Sequence, residues 1–124
     1  MEEVRKKEKE EERLKKHLNK LDKEKDALEL EKKRFYESQK EQELDMMRSY
    51  QSVERMRAAC GPYDSKIMRL LDEKQSLLDS MKKEDKKCEE EFREEMRKES
   101  QRIEKEREET YQKLKRGKNQ EKNN

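Results

Sequence analysis

Apolar residues recur along the first half of the chain at alternating steps of three and four. Two interleaved seven-residue series carry the pattern: Leu14, Leu21, Leu28, Phe35, Gln42, Ser49 and Met56, and Val4, Glu11, Leu18, Lys25, Lys32, Gln39, Met46, Val53 and Cys60. This spacing is typical of the seam of a coiled coil. The pattern predicts one long helix, arm one, over about residues 3–60.

The second half of the chain has the same kind of spacing. Its apolar series contain Ile67, Lys74, Met81 and Cys88, then Leu71, Leu78, Asp85 and Phe92, followed by Met96, Ile103 and Thr110. This pattern predicts a second helix, arm two, over about residues 65–116. Residues 118–124, which follow Gly117 and are all polar, are expected to form a flexible tail.

The only proline of the chain lies between the two arms, in the segment from Cys60 to Ser65. Gly61 can adopt the left-handed conformation that ends a helix, and Pro62 is suited to the start of the next helix but not to continuing the first. Asp64 or Ser65 is expected to cap that second helix. The chain therefore has one predicted turn, at residues 61–64, with Gly61 and Pro62 as its turn residues.

Folding back at this turn places apolar positions of one arm opposite apolar positions of the other. The expected pairs are Met56 with Ile67 and Met68, Val53 with Leu71, Met46 with Leu78, Phe35 with Cys88, Leu28 with Met96, Leu21 with Ile103, and Leu14 with Thr110 and Tyr111. The agreement favours a hairpin over one continuous helix. The predicted fold is all-α, a long antiparallel two-helix coiled-coil hairpin that forms a single domain over residues 1–117.

Composition restricts the partners of such a hairpin. Asp, Glu, Lys and Arg make up 55% of the chain, and 35 basic residues nearly balance 33 acidic ones. Because binding to phosphates requires clustered basic residues, we expect no nucleic-acid partner. The chain has no apolar run of about 18 residues and no signal peptide at its start, so we expect a cytoplasmic protein without membrane insertion.

The residue types needed for chemistry are scarce. The chain has one histidine, His17, and two cysteines, Cys60 and Cys88, which are too few for a four-ligand zinc site. It has no glycine-rich phosphate loop and no nucleophile with a nearby base. We therefore expect no catalytic residues, no cofactor, no metal and no enzymatic activity. Both cysteines are expected to be free thiols, with Cys88 packed against Phe35.

Extra apolar residues near the turn indicate a binding surface. A lone two-helix hairpin buries little apolar surface relative to the entropy cost of ordering it, so a further helical surface is expected to pack on it. Methionine and tyrosine at such a surface adapt to a partner helix. The candidate partner-binding residues are Leu44, Met47, Tyr50, Leu70 and Leu77. The partner is either a helical protein or a second copy of this chain.

This architecture, with a second arm that contains Leu70-Leu71-Asp72-Glu73-Lys74-Gln75-Ser76-Leu77-Leu78, resembles the small α-helical accessory proteins of LXG-type toxins in Gram-positive type VII secretion. In that system such hairpins bind the helical N-terminal targeting region of the toxin, alongside a second hairpin of the WXG type. This chain departs from the WXG pattern because it contains no Trp. The resemblance implies an accessory or targeting chaperone and leaves co-export with its client open.

Two other functions fit the same pattern. Coiled-coil stalk proteins of flagellar or type III export ATPases are also long charged hairpins. A structural spacer, in which identical rods pair with one another, requires no specific client. A stalk is expected to insert its two ends together into a ring, whereas a spacer forms a stable homo-oligomer alone.

Overall fold

Two long helices form the protein. The structure, a computed structural model, describes residues 2–60 and 64–123, with side chains up to residue 119. Helix α1 spans Glu2–Cys60 and helix α2 spans Ser65–Asn123, and the two pack against each other as a helical hairpin. The described residues contain no strand, so the predicted all-α hairpin is confirmed. The predicted turn residues Gly61 and Pro62 lie outside the described residues.

The helix ends carry the groups that stabilise them. The first turn of α1 contains Glu2 and Glu3 and its last turn contains Arg57, which complements the helix dipole at both ends. Asp64 precedes α2, and its Oδ1 accepts a hydrogen bond of 3.2 Å from the backbone N–H of Ile67. This is the geometry of an N-cap, so of the two candidate capping residues Asp64 performs that role.

Helix α2 extends past the predicted end near residue 116 and reaches Asn123. Gly117 lies within the helix, where the place of a Cβ is open space. A glycine in an exposed helix costs about 1 kcal/mol relative to alanine, which weakens a helix without ending it. The neighbouring lysine, arginine and glutamine residues favour helix, and no proline follows. The prediction that arm two ends near residue 116 was therefore wrong.

The terminal unit, Met1–Lys32 with Glu95–Asn124, has a core of single residues spaced along each helix. These residues are buried and occupy the predicted seam positions: Leu14, Leu21, Leu28, Met96, Ile103 and Thr110. Thr110 is polar, and its Oγ1 donates a hydrogen bond of 2.7 Å to the backbone carbonyl of Glu106. The core of this unit is thus a single line of side chains along each helix.

Polar contacts across the terminal unit give the direction of pairing. Arg107 Nε lies 3.1 Å from Asp22 Oδ1, and Lys32 Nζ donates a hydrogen bond of 3.3 Å to Ser100 Oγ. Arg102 forms an ion pair of 3.1 Å with Glu24. Positions that rise along α1 therefore meet positions that fall along α2, as in an antiparallel pair. Such exposed ion pairs contribute little stability, so the buried residues supply most of it.

The central unit, Lys33–Glu94, has a compact apolar cluster. Val53, Leu71 and Leu78 form its buried part, and Tyr50 and Met68 pack against it. Farther along the same unit, Phe35 of α1 stacks on Phe92 of α2 with ring centroids 3.7 Å apart. These contacts also run antiparallel within the unit.

One predicted pair in the central unit is wrong. Phe35 was expected to pack against Cys88, whereas it stacks on Phe92, about one helical turn further along α2. Cys88 is exposed and Cys60 is half-buried, and both are free thiols. Stacking of two aromatic rings buries more apolar area than a ring against a thiol, which favours the observed register.

The predicted seam of α2 is also wrong on one side. Ile67, Lys74, Met81 and Cys88 were expected in the seam, but all four are exposed. The half-buried residues beside the Leu71 line are instead Met68 and Glu89. Met56 of α1, expected opposite Ile67 and Met68, is exposed as well. Helix α2 is therefore rotated about its axis relative to the expectation, and its more apolar side remains uncovered.

Candidate functional site

One flank of α2 in the central unit is tied to α1 by polar contacts. Arg57 of α1 forms an ion pair of 2.7 Å with Asp72 and donates a hydrogen bond of 2.8 Å to Gln75 Oε1. Tyr50 of α1 donates a hydrogen bond of 2.5 Å to Asp79. Asp72 and Asp79 each follow a buried leucine by one residue, so these contacts define the flank of α2 that closes on α1.

The other flank of α2 carries leucines in the corresponding places. Leu70 and Leu77 each precede a buried leucine by one residue, and one residue rotates a helix by about 100°. They therefore point away from the flank that holds Asp72 and Asp79. Their side chains are 63% and 62% exposed, which is unusual for leucine on a helix that pairs with another.

These two leucines belong to a longer series on the same flank. We call this series the α2 stripe, and its members follow steps of three and four along the helix: Ile67, Leu70, Lys74, Leu77, Met81, Glu84 and Cys88. All seven are exposed, including the large apolar residues Ile67, Leu70, Leu77 and Met81. A seven-residue repeat with this alternation is the pattern of a helix-packing seam. The central unit thus has a second seam on α2 that α1 does not cover.

The structure does not bring the five sequence-predicted binding residues together. Leu70 and Leu77 lie on the α2 stripe, whereas Tyr50 contacts the opposite flank through Asp79. Met47 joins Tyr50 in lining an open groove of about 510 Å³ between α1 and α2, on the side of Lys82 and Lys86. Leu44 is exposed on α1 and does not line that groove.

Tyr50 is partly engaged within the hairpin itself. It packs on the buried cluster, and the hydrogen bond that its hydroxyl donates to Asp79 raises the pKa of Tyr50 above its ordinary value. Because the carboxylate also repels a tyrosinate, the two effects act in the same direction. Tyr50 is the only one of the five predicted residues with a hydroxyl group, and that hydroxyl already has a partner within the hairpin.

Sequence reasoning missed the full extent of the α2 stripe. Ile67, Met81 and Cys88 were assigned to the intramolecular seam because they continue the apolar repeat there. The available signal was the three-four spacing of Ile67, Leu70, Leu77 and Met81, broken only by Lys74, which runs beside the Leu71 and Leu78 spacing. Two such repeats on one helix indicate two packing surfaces.

The described residues form neither a metal site nor a membrane-spanning segment. In the ranges 2–60 and 64–119, no group of three or more His, Cys, Asp and Glu side chains is arranged to hold a metal ion. Neither helix, over its described length, has a stretch apolar enough to cross a membrane. The candidate surface is the α2 stripe, because its residues Leu70 and Leu77 are large apolar side chains that are mostly exposed.

Comparison of the chain with protein-family models, with curated protein sequences and with solved structures gave no match.

Proposed function

We propose that the protein is a non-enzymatic binding partner that packs its α2 stripe against a helix of another protein. The observation that carries this proposal is the exposed three-four series from Ile67 to Cys88, which lies next to a seam already occupied by α1. Soluble proteins rarely leave several large apolar side chains exposed along one side of a helix unless that side forms an interface. An amphipathic helix laid along such a series is a common mode of recognition.

The client we propose is the helical N-terminal region of an LXG-type toxin, with this chain acting as its accessory or targeting chaperone. The support is the resemblance of the charged hairpin to that class of accessory proteins, together with a free helical surface. A client of this kind supplies its own apolar helix, which the α2 stripe requires. Ion pairs at the stripe's edges orient such a helix more than they strengthen its binding.

Co-expression with the N-terminal region of an LXG-type toxin tests this proposal. We expect a complex that survives size-exclusion chromatography. The double variant Leu70→Glu, Leu77→Glu is expected to weaken binding by at least about 100-fold, because it places charges in the desolvated centre of the interface. Circular dichroism of the variant alone is expected to show unchanged helix content, since both leucines are exposed.

Leu30→Glu is the matched control, because Leu30 is an exposed leucine of α1 in the terminal unit. It is expected to leave binding within about twofold, as usual for surface substitutions. Met47→Glu changes the groove between α1 and α2, so it tests whether the client binds there instead of on the α2 stripe. Loss of binding with Met47→Glu but not with the stripe variant would overturn the assignment to the α2 stripe, and absence of any complex would overturn the client.

A further inference from the structure

We infer that, in the absence of a client, the α2 stripe is covered by the α2 stripe of a second copy of this chain, with the two helices antiparallel about a two-fold axis. The inference rests on the proposed function only in that both use the same surface. A second copy and a client then compete for it. The order of charged and apolar residues within the stripe indicates this pairing.

The stripe contains two charged residues of opposite sign, Lys74 and Glu84, each placed between apolar residues. They lie equally far before and after Asp79 in the sequence. When two copies of α2 pair antiparallel about an axis level with Asp79, Lys74 of each copy faces Glu84 of the other. The symmetry produces this ion pair twice.

The apolar residues match in the same register. Leu77 and Met81 are also equidistant from Asp79, so each leucine packs on a methionine of the second copy. Leu70 and Cys88 form the next layer in the same way. Four side chains of each copy, Leu70, Leu77, Met81 and Cys88, thus meet apolar neighbours while the charges meet each other. Ile67, the outermost member of the stripe, faces Glu91 at the end of the pairing.

Other registers separate charge and apolar groups poorly. Sliding one copy by seven residues places Glu84 opposite Met81 in one direction and opposite Ile67 in the other. Parallel pairing in register places Lys74 against Lys74 and Glu84 against Glu84, and like charges at a seam are repulsive. The antiparallel register about Asp79 therefore gives six of the seven stripe residues, all but Ile67, a complementary partner within the stripe.

The edge of the stripe supports the same register. Glu73 and Lys87 border the stripe on the side away from Leu71 and are equidistant from Ser80, next to the proposed axis. Across the axis they approach each other as opposite charges. Within the described residues, neither forms an ion pair inside its own chain, so both are available to a second copy. Edge charges of this kind set partner choice and orientation in paired helices.

The test is the mass of the purified chain without any client, by analytical ultracentrifugation over a concentration series. The native chain is expected to approach twice its mass of 15.4 kDa as concentration rises. Lys74→Glu alone and Glu84→Lys alone are each expected to weaken dimerisation at least about tenfold, because each replaces two ion pairs by two like-charge contacts. The double exchange Lys74→Glu, Glu84→Lys restores the pairs and the dimer.

Lys83→Glu is the control, since it changes net charge as Lys74→Glu does, while Lys83 is an exposed residue of the same helix that belongs neither to the α2 stripe nor to the contacts with α1 described above. It is expected to leave the dimer unchanged. A chain that stays monomeric up to about 1 mM, where even the weakest specific complexes form, overturns the inference. So does a double exchange that fails to restore what the single changes lose.

The two proposals fail separately. Mass is measured without a client, so a monomer overturns the second copy and leaves client binding standing. A dimer that follows the charge exchange but never binds the toxin region overturns the client and leaves the self-pairing standing. Addition of client is expected to convert the dimer into a complex that contains one copy of this chain.

Discussion

Leu21→Ala is the substitution whose effect on stability is best defined by the structure. Leu21 is 1% exposed, and it lies in the terminal unit, where each helix contributes only one line of buried residues. Substitution by alanine removes the branched end of the side chain and its contacts, and no other buried side chain at the same position along α1 replaces them. The expected result is a clear loss of stability of the hairpin.

The magnitude follows from the site. Replacing a buried leucine by alanine costs about 2–5 kcal/mol, and the cost grows with the volume of the cavity that is left. A seam between two helices is open to solvent at both edges. The side chains around the cavity left by the substitution can therefore move inward, and water can enter it. We therefore expect a loss of about 2–3 kcal/mol in the free energy of unfolding, at the lower end of that range.

Urea unfolding followed by circular dichroism at 222 nm measures this loss, and Leu30→Ala is the control. Leu30 is 48% exposed on the same helix and in the same unit, and alanine is at least as good a helix former. Its expected change is within about 0.5 kcal/mol. Equal shifts for the two variants would show that Leu21 is not a core residue and would refute the assignment of the terminal core.

Two further outcomes follow from individual side chains. Gly117→Ala is expected to stabilise the hairpin by about 0.5–1 kcal/mol in the same urea assay, because Gly117 is helical with open space at its Cβ; a loss would show that the site requires glycine. Asp79→Asn is expected to lower the pKa of Tyr50, followed by tyrosinate absorbance. Since folding raises that pKa, the hydrogen bond stabilises the folded state fully at pH values below the ordinary tyrosine pKa. This contribution is lost as pH rises through the pKa of Tyr50 in the folded state. An unchanged titration in the variant would contradict this.

Much of the fold follows from the sequence alone. The steps of three and four place Leu14, Leu21 and Leu28 in a line, and the match to Met96 and Ile103 identifies the partner side of α2 in the terminal unit. These positions are apolar among charged neighbours, so only one rotation of each helix buries them. A cap at Asp64 or Ser65 was readable as well, because a short acceptor side chain after a proline is a local signal.

The central unit shows what the sequence could not decide. There α2 has apolar residues on both sides of Leu71 and Leu78, so periodicity alone allows either side to close on α1. The sequence favoured Ile67 and Met81, yet the structure closes the side of Met68. The deciding contacts join residues far apart in the chain, such as Tyr50 with Asp79, and local spacing does not specify them.

The candidate site depends on that same rotation. Sequence reasoning identified Leu44, Met47, Tyr50, Leu70 and Leu77 as extra apolar residues, which requires only their excess over one seam. Their division between two flanks, and the addition of Ile67 and Met81 to the α2 stripe, required the tertiary structure. The physical reason is that periodicity determines which residues share a side of a helix, whereas packing of the two helices determines which side is covered.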